Sequence, residues 1–304
     1  MRSIPLALLL GALLAAPVAA QDAYPAEGDL PAQPAVKRPS APIPPAQFDK
    51  MVPKHPGQLG VLAPANIHKP RPKPPFDLTG TWFVDLRGGF TNFMFGPPYP
   101  KFYKEGRQAL IDSAKAAAAG KTYRDAIGQC YPPGMPMVMT RVWPQNFIQI
   151  PTAIFMISAF NNSVRTIFMD GRKHTDPDIV VPSYNGESIG HWEGDTLVVD
   201  TSYFEPENHY IDSGIPISDQ FHMVERIKLL DGGKTMQIEY IMTDPDMWQG
   251  EWRSTKRWLR EDYTDINEAE CILQYNEHLP GTELGSETAK ERGQTELKGV
   301  PNAK

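Results

Sequence analysis

The chain has 304 residues, a formal net charge of −6 at pH 7 and two cysteines. The charge is modest and is not gathered into tails, so it favours solubility and argues against a nucleic-acid partner. After the N-terminal segment no apolar run reaches the roughly 18 residues that a membrane helix needs, so we expect no membrane span.

Residues 1–20 have the pattern of a cleavable secretory signal. Arg2 precedes an apolar run over 4–14, and the small residues Val18 and Ala20 stand where a signal peptidase expects them. No cysteine follows the cleavage point to carry a lipid. We therefore expect export to the periplasm or the extracellular space.

Two further segments differ in composition from the rest. Residues 21–75 are rich in proline and alanine, and residues 281–304 are polar. Neither can bury enough apolar surface to offset the entropy lost on ordering, so we expect a disordered leader and a disordered tail. Residues 76–280 then form one folded domain.

Within that domain one segment has helical character and the others have strand character. Strong helix formers over 103–119, followed by Gly120, predict a helix. Short β-branched and aromatic runs between turn signals predict strands. The predicted strands are 79–84, 135–142, 147–150, 153–159, 164–169, 189–193, 196–204, 221–230, 235–243 and 251–259.

These strands do not alternate with helices, which favours an all-β antiparallel barrel or sandwich. Residues 80–82, which read GTW, resemble the G-x-W that opens the first strand of lipocalins, where the tryptophan closes one end of the barrel. That family places a late arginine across the tryptophan, and Arg253, Arg257 and Arg260 lie in the matching part of the chain. The resemblance favours a lipocalin-like barrel; the alternative is an ordinary buried tryptophan on a strand.

Residues 186–190 spell G-x-S-x-G, a pattern that surrounds the nucleophilic serine of many hydrolases. In an α/β hydrolase that serine stands on a sharp turn from a strand into a helix. Here a β-hairpin follows Ser188. We therefore interpret Gly186 and Gly190 as serving a turn and a close approach of strands. A serine hydrolase that uses Ser188 stays a weaker alternative.

The longer run over 186–201, GESIGHWEGDTLVVDT, resembles a widespread group of exported bacterial proteins of unassigned function. The other matching stretches are DGRKH at 170–174, DSGIP at 212–216, His222 with the pair ER at 225–226, and TDP at 243–245. Methionine in GMPM at 134–137 and the threonine after His174 depart from the group's arginine and proline. The resemblance covers residues 130–271. It implies a secreted β-rich domain and supplies no reaction, while the two departures predict an altered pocket mouth and so a different ligand.

The two cysteines, Cys130 and Cys271, belong to a chain with an export signal. In an oxidising compartment a single disulfide is the favoured interpretation. The alternative is that one of them is a reactive thiol, although no C-x-x-C pattern occurs.

Strand phase identifies one unusual carboxylate. Glu225 falls on the otherwise apolar face of its strand, and His222 falls on the opposite face. If Glu225 is buried without a partner, its environment suits a general acid or base. The alternative is a buried salt bridge with Arg165 or Arg253.

The hairpin that follows Ser188 carries residues that could bind a metal ion. His191 and Glu193 share one strand face, and Asp200 could join them from the next strand. Neither H-x-H nor H-E-x-x-H occurs, so no metal site is favoured.

Two predicted loops carry polar side chains that suit a barrel rim. One supplies Arg172 and His174, and the other, over 205–218, supplies His209, Tyr210 and Asp212. They would form a mouth over an apolar interior built from Phe147, Phe155, Phe168, Met236 and Tyr240. The alternative is that Asp and Gly in these loops only serve turns.

We therefore expect an enzyme of lyase, isomerase or hydratase type that acts by acid–base chemistry on a small apolar or aromatic molecule, without a cofactor or a metal ion. The predicted catalytic residues are His174, His222, Glu225 and Asp212. The predicted substrate-binding residues are Arg172, His209, Tyr210, Phe155 and Tyr240. The alternative is a non-catalytic, lipocalin-like carrier of a hydrophobic ligand, in which the same rim only orients the ligand.

Overall fold

The computed structural model describes residue 44 and residues 57–89, 94–120, 126–127, 130–212 and 214–269. The predicted signal segment, the predicted tail and Cys271 lie outside the described residues, so export and the disulfide stay predictions. Of the predicted leader, residues 57–75 are described. They hold a short helix, α1 (Pro64–Ile67), whose buried Asn66 donates a hydrogen bond to Asp170 Oδ2 at 2.9 Å. Residues 57–75 thus belong to the same compact unit as the strands, because polar anchors fix this segment despite its proline content.

The regular elements of the described residues are mostly strands. They are β1 (Gly80–Val84), β2 (Lys101–Phe102), β3 (Gln145–Ile150), β4 (Ala153–Ser158), β5 (Val164–Phe168), β6 (Glu187–Glu193), β7 (Thr196–Ser202), β8 (His222–Leu230), β9 (Thr235–Thr243), β10 (Trp248–Gln249) and β11 (Glu251–Glu261). The long helix is α2 (Lys104–Ala118), and two short 3₁₀ helices span Met137–Thr140 and Asp231–Gly233. Among the described residues every helix is too short or too polar to cross a bilayer.

The predicted helix is present in the structure, and one of the predicted strands is not. The helix expected over 103–119 is present as α2, and Gly120 with φ of +69° ends it in the left-handed conformation. The strand expected over 135–142 is wrong. Gly134 has φ of +63° and Pro136 lacks an N–H group, so this apolar stretch cannot continue a strand ladder and forms a 3₁₀ helix instead.

Nine of these strands close into a barrel in the order β1-β11-β9-β8-β7-β6-β5-β4-β3, which confirms the all-β barrel; β2 and β10 form a separate two-stranded sheet. Strand directions cannot alternate all the way around a ring with an odd number of strands, so one pair has to be parallel. That pair is β5 and β6, with Ile167 opposite Ser188. The segment 169–186 therefore runs back along the barrel, whereas lipocalins close with an even count of about eight strands.

The arrangement expected from the lipocalin resemblance is present at Trp82. This side chain is fully buried, and its Nε1 donates to the Leu78 carbonyl at 2.9 Å. The guanidinium carbon of Arg260 lies 4.3 Å from the centre of the Trp82 rings. Gly80, with φ of +147°, leaves room for that guanidinium because a Cβ there would collide with it.

Large side chains pack inside the barrel. The inward-facing set includes Trp82, Phe147, Met156, Met223, Met236, Tyr240, Trp252 and Trp258, each at most 2% exposed. Phe95, which follows β1 in the chain, joins them and packs edge-on against Tyr240, with ring centres 5.1 Å apart.

The other two aromatic residues expected in the interior lie outside it. Phe155 stands opposite Ile148, which is 44% exposed, and so belongs to the outer face of the sheet. Phe168 faces outward as well, because the adjacent residue along the strand, Ile167, is buried and side chains alternate between the two faces. The Arg172 guanidinium carbon lies 4.1 Å from the centre of the Phe168 ring.

Candidate functional site

Two histidines and two carboxylates meet on the outer face of the barrel. His174 places Nδ1 2.9 Å from Glu187 Oε2 and Nε2 2.9 Å from Asp200 Oδ1. His222 places Nε2 3.0 Å from the same Asp200 oxygen. These four residues form a continuous series of contacts, Glu187–His174–Asp200–His222, which we call the histidine–carboxylate cluster.

Strand alternation explains how three of the four residues reach one surface. On β7, Val199 and Thr201 are buried, so Asp200 between them points outward. His222 begins β8 and Glu187 begins β6, and both lie on the same outer face as Asp200.

His174 reaches the cluster by another route. It lies in the segment 169–186, which runs back along the barrel because β5 and β6 are parallel. Tyr203 Oη donates to the carbonyl of the next residue, Thr175, at 3.0 Å and so fixes the backbone beside His174. The odd strand count therefore brings this histidine to the site.

Both carboxylates of the cluster are held in the ionised form. The hydrogen bond from His222 lowers the pKa of Asp200, with a smaller contribution from His174, against the opposing effect of burial. Burial alone would raise the pKa of Glu187, but hydrogen bonds from Thr175 and His174 outweigh it, and the pKa is lowered. Ionised carboxylates only accept hydrogen bonds, so each of them suits a ring N–H as its partner.

The cluster is open enough to meet a small molecule. The His222 side chain is 37% exposed and the His174 side chain 25% exposed. Nδ1 of His222 has no hydrogen-bond partner among the described residues, whereas its Nε2 is held by Asp200. An imidazole oriented by a carboxylate through one nitrogen, with the other nitrogen available, can accept and return a proton.

The structure places Glu225 inside the barrel, away from this outer face. Both terminal nitrogens of Arg165 bind its carboxylate, with Nη1 3.1 Å from Oε1. The alternative of a buried salt bridge is thus confirmed, with Arg165 as the partner. Arg253 binds Glu239 and Glu251 on the surface instead.

Ser188 belongs to the same interior group. It is fully buried, and its hydroxyl accepts from Arg165 Nε at 3.0 Å and lies 3.1 Å from Thr201 Oγ1. The structural interpretation of the two glycines is confirmed. Gly186 has φ of +62°, and a Cβ at Gly190 would collide with the Met169 side chain.

The residues expected at a barrel rim each bind a different local partner and do not form one site. Asp212 is buried and accepts from the backbone N–H of Phe95 at 3.1 Å. Arg172 binds Asp170 through Nε and Nη2. His209 is buried and its Nδ1 donates to the Glu205 carbonyl at 2.9 Å; burial lowers its pKa to about 4.

The two predicted tyrosines differ in exposure. Tyr210 is half-buried near Asn208, with 3.5 Å between the Tyr210 hydroxyl and Asn208 Oδ1. Tyr240 is fully buried, and burial beside Glu225 raises its pKa well above the usual range. Tyr240 thus lines the interior as expected, in a packed environment.

The three candidate metal ligands, His191, Glu193 and Asp200, do not point to a common position. His191 contacts Glu193 at 3.2 Å, while Asp200 binds the other two histidines of the region. In the part of the chain that the structure describes, no three His, Cys, Asp or Glu side chains are arranged to hold a metal ion.

Sequence reasoning named His174 and His222 and missed Glu187 and the bridging role of Asp200. The hairpin register contained a usable signal, since Glu187 shares the outward phase of His191 and faces the strand that carries Asp200. Neither the family models nor the curated proteins with which the sequence was compared gave a match. The site is therefore interpreted from its own geometry.

Proposed function

We propose that the protein is an acid–base enzyme of lyase, isomerase or hydratase type that acts on a small apolar or aromatic molecule at the histidine–carboxylate cluster. One observation carries the proposal: His174 and His222 bind the same oxygen of Asp200, at 2.9 and 3.0 Å. Two imidazoles joined through one carboxylate can take a proton from one position of a substrate and return it at another.

The hydrogen bonds assign separate roles to the two histidines. Nε2–H of His222 donates to Asp200, so the neutral ring carries its lone pair on Nδ1 and acts as the base. His174 is held on both sides by carboxylates, which fix the orientation of its ring next to the reacting atoms. Asp200 and Glu187 orient the two rings in the way that the triad aspartate orients its histidine.

Apolar side chains flank the cluster and support an apolar substrate. Ile189 on β6 and Val224 on β8 stand directly opposite Asp200 in the strand register and share its outer face. Both are half-buried. They offer a surface for the body of a substrate whose labile hydrogen faces His222.

The two alternatives have less support. A carrier of lipocalin type holds its ligand inside the barrel, where Trp82, Tyr240 and Trp258 pack without exposure. A serine hydrolase needs a serine within reach of a histidine, whereas the Ser188 hydroxyl is buried against Arg165. We also propose, from the signal-like segment over 1–20, that the enzyme is exported and that Cys130 and Cys271 form a disulfide.

Deuterium from solvent provides a test that covers the whole reaction class. Lyases, hydratases and isomerases whose catalytic base exchanges its proton with solvent leave solvent deuterium in a product or in recovered substrate, and His222 is exposed enough for that exchange. Purified protein is incubated in D₂O with a panel of aromatic ketones, unsaturated acids and hydroxy acids, and incorporation is measured by mass spectrometry. We expect His222→Ala to lower incorporation by about 10²–10⁴-fold.

The matched control is His191→Ala, because His191 is a more exposed histidine of the same surface, and its one polar side-chain contact among the described residues is with Glu193. It should retain full activity, and both variants should unfold near the wild-type temperature. Incorporation that survives in His222→Ala, or none with any compound of the panel, contradicts the proposal.

A further inference from the structure

A cleft of about 490 Å³ lies beside the first turns of α2. Its lining residues are Phe102, Tyr103, Lys104, Arg107, Gln108 and Ile111. Residues four apart share one face of a helix, so Tyr103, Arg107 and Ile111 form one stripe along the cleft. Clefts of about 300–1,000 Å³ are the usual size for small-molecule sites.

The charges that line this cleft are all positive. Lys104 and Arg107 supply them, and neither side chain has an ion-pair partner among the described residues. On the same helix Lys115 does have one, since its Nζ lies 3.5 Å from Asp112 Oδ1. The cleft therefore presents two uncompensated cations.

Apolar side chains form the rest of the cleft. Tyr103 is 46% exposed and Ile111 39% exposed, which leaves much of their surface open to a ligand. Phe102 lies behind them and packs edge-on against Trp248 and Trp252, with ring centres 6.1 and 5.7 Å apart. This packing makes the aromatic wall rigid.

We propose that the cleft binds a small organic anion with an apolar body, of the aromatic carboxylate class. The carboxylate accepts hydrogen bonds from Lys104 and Arg107, and the guanidinium suits two parallel bonds to its oxygens. The body packs against Phe102, Tyr103 and Ile111. This site is separate from the histidine–carboxylate cluster in its residues and does not rest on the proposed enzyme function.

The test uses two probes of equal size, phenylbutyrate and its neutral amide phenylbutanamide, titrated into the full-length protein by calorimetry. We expect phenylbutyrate to bind with a Kd of about 0.1–1 mM and the amide about tenfold more weakly. The double variant K104Q/R107Q should lose about tenfold in affinity for phenylbutyrate. Lys115→Gln, the matched control on the same helix, should bind as the wild type does.

Ile111→Ser tests the apolar part of the site, because an exposed side chain can be changed without unfolding the helix. It should weaken the binding of both probes to a similar extent.

Equal binding of the two probes, no response to K104Q/R107Q, or no binding of phenylbutyrate at about 10 mM overturns the proposal. Equally tight binding of a hexaglutamate peptide also overturns it, since the cleft would then recognise charge alone. His222→Ala should bind phenylbutyrate normally, so this result is independent of the enzyme test.

Discussion

Arg165 and Glu225 form an ion pair sealed inside the barrel, with side chains 2% and 1% exposed. Three strands supply the hydroxyls and carboxylate around the guanidinium, since Ser188, Thr201 and Glu225 come from β6, β7 and β8. The pair thus joins the parallel β5–β6 region to the antiparallel part of the barrel. A buried charge whose partner is removed is strongly destabilising.

We expect Glu225→Gln to lower the free energy of unfolding by about 3–5 kcal/mol, because it leaves the Arg165 charge without compensation. Urea denaturation measures the change. The control is Glu239→Gln on the surface, which loses an exposed contact with Arg253 and should cost less than about 1 kcal/mol. Similar losses in the two variants would contradict this account of the interior.

Arg260 should stabilise the packing around Trp82. Its guanidinium lies over Trp82 and donates to the Thr79 carbonyl at 2.6 Å and the Gly233 carbonyl at 3.1 Å. Arg260→Ala should therefore cost about 2 kcal/mol of unfolding free energy. Arg257→Ala on the same strand loses a 3.4 Å contact with Gln237 and should cost much less. Thermal and urea unfolding of both variants compare the two positions.

The buried His209 should make the fold sensitive to mild acid. Burial lowers its pKa from 6.5 to about 4, so the folded protein holds this ring neutral while the unfolded chain takes up a proton below about pH 6.5. The contribution to stability is complete above pH 6.5 and is lost as pH falls towards 4. Up to about 3 kcal/mol is involved.

His209→Gln keeps a donor for the Glu205 carbonyl and removes the titrating group. Between pH 7 and pH 4.5 its unfolding free energy should fall less than that of the wild type. His191→Gln, at an exposed histidine, should follow the wild-type curve. An unchanged pH slope in His209→Gln would show that His209 does not titrate in this range.

Lys256 should make the free energy of unfolding rise with pH at alkaline pH, for the same physical reason as His209 in acid. Burial lowers its pKa from 10.5 to about 8, against the opposing charge of Asp212. Between those two pH values the unfolded chain binds more protons than the folded protein, so stability rises with pH. The rise is up to about 3 kcal/mol.

Lys256→Met fills a similar volume and does not titrate, so the difference in unfolding free energy between pH 7.5 and pH 10 should shrink. Lys228→Met, at a surface lysine paired with Asp195, serves as the control and should keep the wild-type difference. A rise that persists in Lys256→Met would assign it to another group.

Local patterns were sufficient for most of the architecture. Alternation of apolar residues and glycine-bearing turns predicted nine of the barrel's segments within a few residues, and the helix formers before Gly120 predicted α2. The apolar pattern over 135–142 wrongly predicted a strand. The positive φ of Gly134 and the missing N–H of Pro136 prevent a strand there, although the apolar side chains would suit one. Composition also gave no sign that residues 57–75 belong to the same compact unit as the strands, because the hydrogen bond from Asn66 to Asp170 that anchors this proline-rich segment spans 104 residues.

The sequence by itself determined the β class and the approximate positions of the barrel strands, because these depend on spacing along the chain. It placed Glu225 inward correctly through the phase of β8, whereas the inward placement expected for Phe155 and Phe168 was wrong. The lipocalin resemblance offered three arginines as partners of Trp82, and the structure selected Arg260. Only the tertiary structure decided that His174 and His222 share Asp200. That meeting depends on the odd number of strands, which forces one parallel pair and carries the segment 169–186 back along the barrel. Strand number and closure are properties of the whole ring, so no local pattern contains them.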